Sequence, residues 1–267
     1  MNPPVRFNVL GTGVSALSLE QARDLVLSAR GRKQLGYVCH ATAYGANAAC
    51  TDPAFREALN RSWLTHPDGM PLVWLGRWHG HRQITRVYGP DLLLAVCDAG
   101  RAGGLRHFLY GGGTGVAELL KAKLIERFPG LTIVGTDAPP FRELTPDEFA
   151  KLQAAIAAAQ PDIVWVGLSS PKQERFMAEH WKSLDAGVLI GVGAAFDFHS
   201  GRVGQAPLWM QRRGLEWFFR LCTEPRRLWP RYLVHNPLFV LRTLAQSTGL
   251  KKYPLDWPQK ITGASGE

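Results

Sequence analysis

Two stretches of the chain are built to aim backbone N–H groups at an anion. The first is Asp162-Ile-Val-Trp-Val-Gly-Leu-Ser-Ser170, running straight into Pro171-Lys172-Gln173-Glu174. Its apolar, partly β-branched run predicts a buried strand over 162–168. Ser170 then suits an N-cap, Pro171 the first helical position and Gln173 the capping-box position. A strand that ends in a helix N-terminus favours a phosphate beyond the sheet. The same spacing also fits a Gln173 that only caps its helix.

The second stretch runs from Leu105-Arg-His-Phe-Leu-Tyr110 into Gly111-Gly112-Gly113-Thr114-Gly115 and a helical pattern over 116–128. Glycines between strand and helix let a phosphate approach the backbone closely. No Gly-Lys-Ser/Thr closes the run, so it is not a Walker A loop. Asp137, after the next predicted strand at 131–135, stands roughly where a ribose-binding acid would lie. That keeps a nicotinamide oxidoreductase open as a rival, and a purely structural turn is the third reading.

The elements that must position these stretches alternate along the chain. Strands are predicted near 7–10, at 36–41, 63–66, 105–110, 131–135, 162–168 and 188–192. Helices are predicted between them: from the Ser18-x-x-Gln21 box to about 30, then to about 61 with a restart at Asp52-Pro53. Others begin at Met70, run over 90–99 and 116–128, extend from the Thr145–Glu148 box to 160, and span 171–184. This order predicts an α/β fold, a mainly parallel, Rossmann-like sheet with helices on both faces. Ligands of such sheets bind outside the carboxyl ends of the strands. Asp68 and residues 111–115, 169–173 and 193–197 all fall there, so one crevice can hold them.

Composition narrows the class. The 267 residues are 46% hydrophobic and 20% charged, enough for a sizeable core. Met-Asn-Pro-Pro-Val-Arg-Phe lacks a basic-then-apolar leader, and no run reaches the ~18 apolar residues of a membrane span. Cys39, Cys50, Cys97 and Cys222 form no Cys-x-x-Cys pair, which fits reduced thiols in the cytoplasm. His79-Gly80-His81 has no carboxylate or cysteine beside it and is expected to be loop.

The net charge of +9 is concentrated late. Residues 202–252 carry ten Lys and Arg, including Arg202, Arg212, Arg213, Arg220, Arg226, Arg227 and Arg242, against Glu216 and Glu224 alone. Trp209, Trp217, Phe218, Trp229 and Phe239 are interleaved with them. Such a mixture suits an anionic membrane surface or nucleic acid, or a helix whose aromatics pack on a core. The expected division is a catalytic domain over 1–200, a basic helical appendage over 201–252 and a disordered tail over 253–267.

The order of motifs resembles the WecG/TagA/CpsF glycosyltransferases. The matching pieces begin with His66-Pro-Asp68-Gly-Met-Pro-Leu-Val-Trp74, Arg86-Val-Tyr-Gly89-Pro-Asp91 and Tyr110-Gly-Gly-Gly-Thr114. They continue with Val166-Gly-Leu-Ser-Ser-Pro171-Lys-Gln-Glu174, Gly191-Val-Gly-Ala-Ala-Phe-Asp197 and Gly201-Arg-Val-Gly-Gln-Ala-Pro207. Gly214-Leu-Glu-Trp217-Phe-Phe-Arg220 through Pro225-Arg-Arg closes a likeness that covers roughly residues 8–235.

The resemblance implies inverting transfer of a hexose or N-acetylhexosamine-type sugar from a UDP-sugar to a polyprenyl-diphosphate-linked saccharide. It places the enzyme peripherally on the inner face of the cytoplasmic membrane, with no cofactor, no metal and no nucleic acid. Homo-oligomerisation is left open.

Such a transfer needs one base for the acceptor hydroxyl, and Asp68, on a Pro-Asp-Gly turn, is favoured by resemblance and by its place after a strand. The turn pair alone would also explain that aspartate. No Asp-x-Asp occurs, so the leaving diphosphate is expected to be met by Arg86, Lys172 or C-terminal arginines. Substrate-binding candidates are Thr42, Gly111, Gly112, Gly113, Lys172, Gln173, Glu174 and Asp197. Membrane or diphosphate contacts are assigned to Arg212, Arg213, Arg220, Arg226 and Arg227.

One departure stands out. Counting back from Asp68 without gaps, Thr42 falls where the family usually has an Asn, and a hydroxyl cannot supply both arms of an amide. This bears on sugar or acceptor identity rather than on reaction type. A noncatalytic membrane- or nucleic-acid-binding module is the remaining rival.

Overall fold

The computed structural model describes residues 4–226, 229 and 233–255. It opens with a hairpin, β1 (Arg6–Val9) against β2 (Thr12–Ser15), where one strand was expected. The turn residues Leu10 and Gly11 have φ of 54° and 84°, the left-handed pair a two-residue hairpin turn needs. Leucine rarely adopts that conformation, which hid the turn in the sequence. It is held there by context: Leu10 is fully buried and its N–H donates to Gln246 Oε1 at 2.9 Å.

Then follow α1 (Leu19–Leu27), β3 (Gly36–Ala41), α2 (Ala43–Ala49), α3 (Pro53–Arg61), β4 (Leu64–Pro67), α4 (Met70–Trp78) and α5 (Gly89–Gly100). Next come β5 (Arg106–Gly111), α6 (Val116–Arg127), β6 (Thr132–Asp137), α7 (Pro146–Ala159), β7 (Ile163–Gly167) and α8 (Lys172–His180). The chain continues with β8 (Val188–Gly191), α9 (Ala195–His199), α10 (Leu208–Arg212), α11 (Glu216–Thr223) and α12 (His235–Ser247). The expected capping boxes form at Ser18–Gln21 and Thr145–Glu148. Asp52 caps α3 with Pro53 in its first turn, so the restart there is a true break between two helices.

The main sheet has the order β4-β3-β8-β7-β5-β6, and every pair in it is parallel. Its strands are apolar on both sides because both faces are covered. In β7, Ile163 and Trp165 join a core with α1, α5, α6 and α9, while Val164 and Val166 join the opposite core with α3, α7 and α8. The connections after β5 and β7 therefore leave toward opposite faces, which opens a crevice above these neighbouring strands.

The C-terminal segment is built into this body. Phe239 of α12 is buried with Phe7, Leu72 and Val73, and Gln246 reaches the hairpin turn. Asn8 Nδ2 donates to the Tyr253 carbonyl at 2.7 Å. Of the expected tail, residues 256–267 lie outside the described residues.

Three buried imidazoles predict acid lability. Burial pushes His40 and His107 down to about 4, and burial with the neighbouring His40 takes His66 well below the ordinary 6.5. Each ring is neutral in the native state but protonates in the unfolded chain near 6.5. Stability is therefore unaffected above pH 6.5 and falls as pH drops from 6.5 toward 4, by up to about 3 kcal/mol for each of His40 and His107, with His66 acting in the same direction. The urea midpoint should fall across that window, and less so in a His107→Gln variant.

Candidate active site at the carboxyl ends of the strands

At the end of β4 the chain turns out of the sheet at Asp68, whose N–H donates to the Ala41 carbonyl at 2.8 Å. Gly69 follows at φ 134°, which a side chain would resist, and α4 begins at Met70. Arg86 Nε lies 3.6 Å from Asp68 Oδ1, and Arg86 Nη2 donates to Glu216 Oε2 at 2.6 Å. The Tyr88 hydroxyl donates to Glu216 Oε1 at 2.8 Å, and its ring sits 4.0 Å beneath the Arg86 guanidinium. Only 16%, 17% and 12% of the Asp68, Arg86 and Glu216 side chains are exposed, so these charges are largely withdrawn from water.

Electrostatics hold Arg86 and Tyr88 in their protonated forms. Burial alone would favour a neutral Arg86, but Asp68 and Glu216 outweigh it and hold the guanidinium charged more firmly than usual. Burial, then Glu216 and Asp68, pushes the Tyr88 phenol up, which keeps it a donor. Burial also raises Asp91, at the start of α5, against the pull of Arg86. Arg86 is thus engaged by carboxylates at this end of the crevice.

Two residues before Asp68, within β4, His66 is fully buried. His40 Nδ1 donates to the Gly191 carbonyl at 2.8 Å, leaving its Nε2 to accept from His66 Nδ1 at 3.3 Å. The pair arises because β3 and β4 are in register with His40 opposite His66. It pins the carboxyl ends of β3, β4 and β8 together.

The other expected residues occupy the neighbouring strand ends. Thr42 follows β3 and caps α2, its hydroxyl accepting from Gly45 N at 2.9 Å. Gln173 and Glu174 are buried at the start of α8. The helix starts one residue later than Ser170 predicted: Pro171 is itself the N-cap, outside helical geometry, and no side chain bonds there as a cap. Gln173 makes no capping box. Its Oε1 accepts from Gly193 N at 3.1 Å and its Nε2 donates to Glu174 Oε1 at 2.9 Å, tying α8 to the turn after β8. Asp197 lies half-buried in α9, and Lys172 is exposed, 3.5 Å from the Phe141 carbonyl.

The glycines after β5 differ in purpose. A Cβ on Gly111 would meet the Gly167 backbone at 2.6 Å, and one on Gly112 would meet Val116 at 2.8 Å, so both serve packing. Gly113 faces more open space, with Arg202 Nη1 as the nearest neighbour, 3.6 Å from where a Cβ would be. No side chain caps α6, whose first N–H groups face this turn. Arg220 lies over the Phe198 ring at 5.9 Å. Arg213 and Arg226 are exposed, whereas the side chain of Arg212, and Arg227 altogether, lie outside the described residues.

Along the carboxyl ends of the strands, carboxylates gather about Arg86 at β4, and Arg202 and Arg220 lie near α6 and α9. A cavity of about 380 Å³ opens among Tyr44, Asn47, Ser170, Pro171, His235 and Arg242. Asp137 ends β6 opposite Tyr110, and the rings of His79 and His81 pack on Phe7.

Sequence reasoning missed Glu216, Tyr88 and the histidine pair. Glu216 stands in the quoted Gly214-Leu-Glu-Trp217 motif, but a lone acid in a basic segment reads as a charge offset. The histidines become visible only through strand register.

The six-stranded parallel sheet with helices on both faces defines a Rossmann-like α/β fold. The chain belongs to the glycosyl transferase WecG/TagA/CpsF family, which it matches over residues 7–253. It is 32% identical over 208 residues, 78% of each chain, to the N-acetylglucosaminyldiphosphoundecaprenol N-acetyl-beta-D-mannosaminyltransferase of Bacillus subtilis (strain 168). It is 33% identical over 193 residues, 69% of this chain and 70% of the relative, to the protein of the same description from Bacillus spizizenii. Among the described residues no helix is long and apolar enough to cross a membrane.

Proposed function

We propose that this glycosyltransferase moves an N-acetylhexosamine-type sugar from a UDP-sugar to a polyprenyl-diphosphate-linked saccharide, with inversion at the anomeric carbon. The observation that carries the reading is Asp68 at the carboxyl end of β4, faced by an Arg86 that Glu216 also binds. Asp68 takes the proton of the acceptor hydroxyl as that oxygen attacks the anomeric carbon and the bond to UDP breaks. Arg86 acts as a positioning residue for that carboxylate. The leaving diphosphate collects negative charge, which suits the N–H groups after β5, Arg202 and Arg220.

The two relatives support the acceptor class, since their names specify an N-acetylglucosaminyl diphosphoundecaprenol acceptor and a β-linked mannosaminyl product. A lipid-bound acceptor implies work at a membrane surface, with residues 1–200 carrying the chemistry and 201–252 completing the crevice on its membrane side. Thr42, Gln173, Glu174 and Asp197 are assigned to substrate contacts, and Lys172, Arg212, Arg213, Arg226 and Arg227 to diphosphate or lipid. The test is a panel of UDP-sugars with membrane extract as acceptor, scored by UDP release. Release with no donor in the panel would overturn the reading.

A second measurement addresses the charge stabilisation. Because a ligand bound only by the native state raises the unfolding midpoint, UDP should stabilise the protein without added magnesium, and EDTA should leave the shift intact. NAD should give none. A shift abolished by chelation would show that a metal ion, rather than the arginines and backbone dipoles, holds the diphosphate.

A further inference from the structure

The outer face of α4 carries two exposed tryptophans that neither the fold nor the proposed chemistry uses. Leu72, Val73 and Gly76 point inward, and a Cβ on Gly76 would meet Ile84 at 2.7 Å and Phe7 at 3.0 Å, so the helix cannot roll. Trp74, Arg77 and Trp78, at i, i+3 and i+4, are therefore fixed outward, with Trp74 55% and Trp78 82% exposed. Leaving two indoles in water is costly, and their apolar body with one N–H suits the boundary between lipid headgroups and acyl chains.

Charge around the pair points the same way. No Asp or Glu occurs between Asp68 and Asp91, whereas Arg77 and Arg82 are both exposed there. The face also continues into the basic segment: Gly214, between α10 and α11, would place a Cβ 3.3 Å from Met70 and 4.0 Å from Trp74. Trp209, Trp217 and Phe218 of α10 and α11 are exposed as well. A self-association about a two-fold axis would bring Arg77 and Arg82 near their own copies, an unfavourable match.

We infer that the Trp74–Arg77–Trp78 face of α4 is an interfacial anchor for anionic lipid, contributed by the catalytic body in addition to the C-terminal segment. This rests on the membrane-surface reading above. Its consequence is geometric: α4 starts directly after Asp68-Gly69, and Trp74 stands roughly 6 Å, about one turn, beyond Met70. Seating α4 in the headgroups brings the base to the lipid surface through a single rigid helix.

The experiment is cosedimentation of the full chain with phosphatidylglycerol/phosphatidylethanolamine vesicles and with phosphatidylcholine vesicles, without sugar substrates. The W74S/W78S double variant should bind the anionic vesicles on the order of tenfold more weakly, with W78S alone intermediate. R77Q/R82Q should reduce the preference for anionic over neutral lipid. Stabilisation by UDP and the circular dichroism spectrum should be those of the wild type in all three, which excludes misfolding. A double variant that binds as the wild type does, or a wild type indifferent to lipid charge, overturns the inference. So does a double variant that changes the sedimentation coefficient but not vesicle binding, which would assign the face to a second copy. Failure of sugar transfer would leave this result intact, since no transfer is measured.

Discussion

Replacing Asp68 by Asn should lower sugar transfer by about 10²–10⁴-fold while leaving donor binding in place. The amide keeps the size and the turn but cannot accept the acceptor's proton. Arg86 remains held by Glu216, so the pocket should not collapse. The readouts are kcat with a lipid-linked acceptor and the thermal shift produced by UDP. Near-normal turnover would reduce Asp68 to a turn residue between β4 and α4.

Glu216→Ala should have the second large effect, and on two quantities at once. The substitution removes the carboxylate that binds both Arg86 and Tyr88, stranding a largely buried guanidinium and a phenol. Removing one partner of a buried ion pair costs about 3 kcal/mol, or roughly 6–10 °C in midpoint for a chain of this size. Because Glu216 heads α11, the loss also unlinks Arg220 from the Asp68 end of the crevice. A misplacement of ångström scale there should cost about 10²-fold in kcat. Glu216→Gln, which keeps one acceptor and the volume, should fall between the two in both measurements. An alanine variant as stable and active as the wild type would mean that α11 docks independently of this pair.

The fold was legible wherever local signals agreed with the global arrangement. The apolar runs at 36–41, 106–111 and 163–167 alternate between two cores, and the boxes at Ser18 and Thr145 start their helices where expected. Long-range contacts decided the rest. Leu10 enters a left-handed turn because Gln246 and a buried pocket hold it, which no local rule anticipates. Gln173 makes no capping box because the N-cap of its helix is Pro171, and its side chain instead binds Gly193 after the neighbouring strand β8.

The site divides in the same way. Asp68 announced itself by a Pro-Asp-Gly turn and Arg86 by its motif, and the structure brings the two side by side. The glycines at 111 and 112 looked like a phosphate cradle but are required by Gly167 and Val116. Glu216 was invisible because its meaning depends on the docking of α11 beside Arg86, 130 residues away in sequence. The basic segment likewise read as a surface appendage, although Phe239 and Arg242 of α12 are tied to the hairpin core and to Asn47.

The most direct test of single displacement by Asp68 is the anomeric configuration of the product formed from an α-linked UDP-N-acetylhexosamine and a polyprenyl-diphosphate-linked N-acetylglucosamine. Nuclear magnetic resonance of the isolated disaccharide should show one β-glycosidic bond, with UDP released only when acceptor is present. An α-linked product, or UDP release at the same rate without acceptor, would contradict the account.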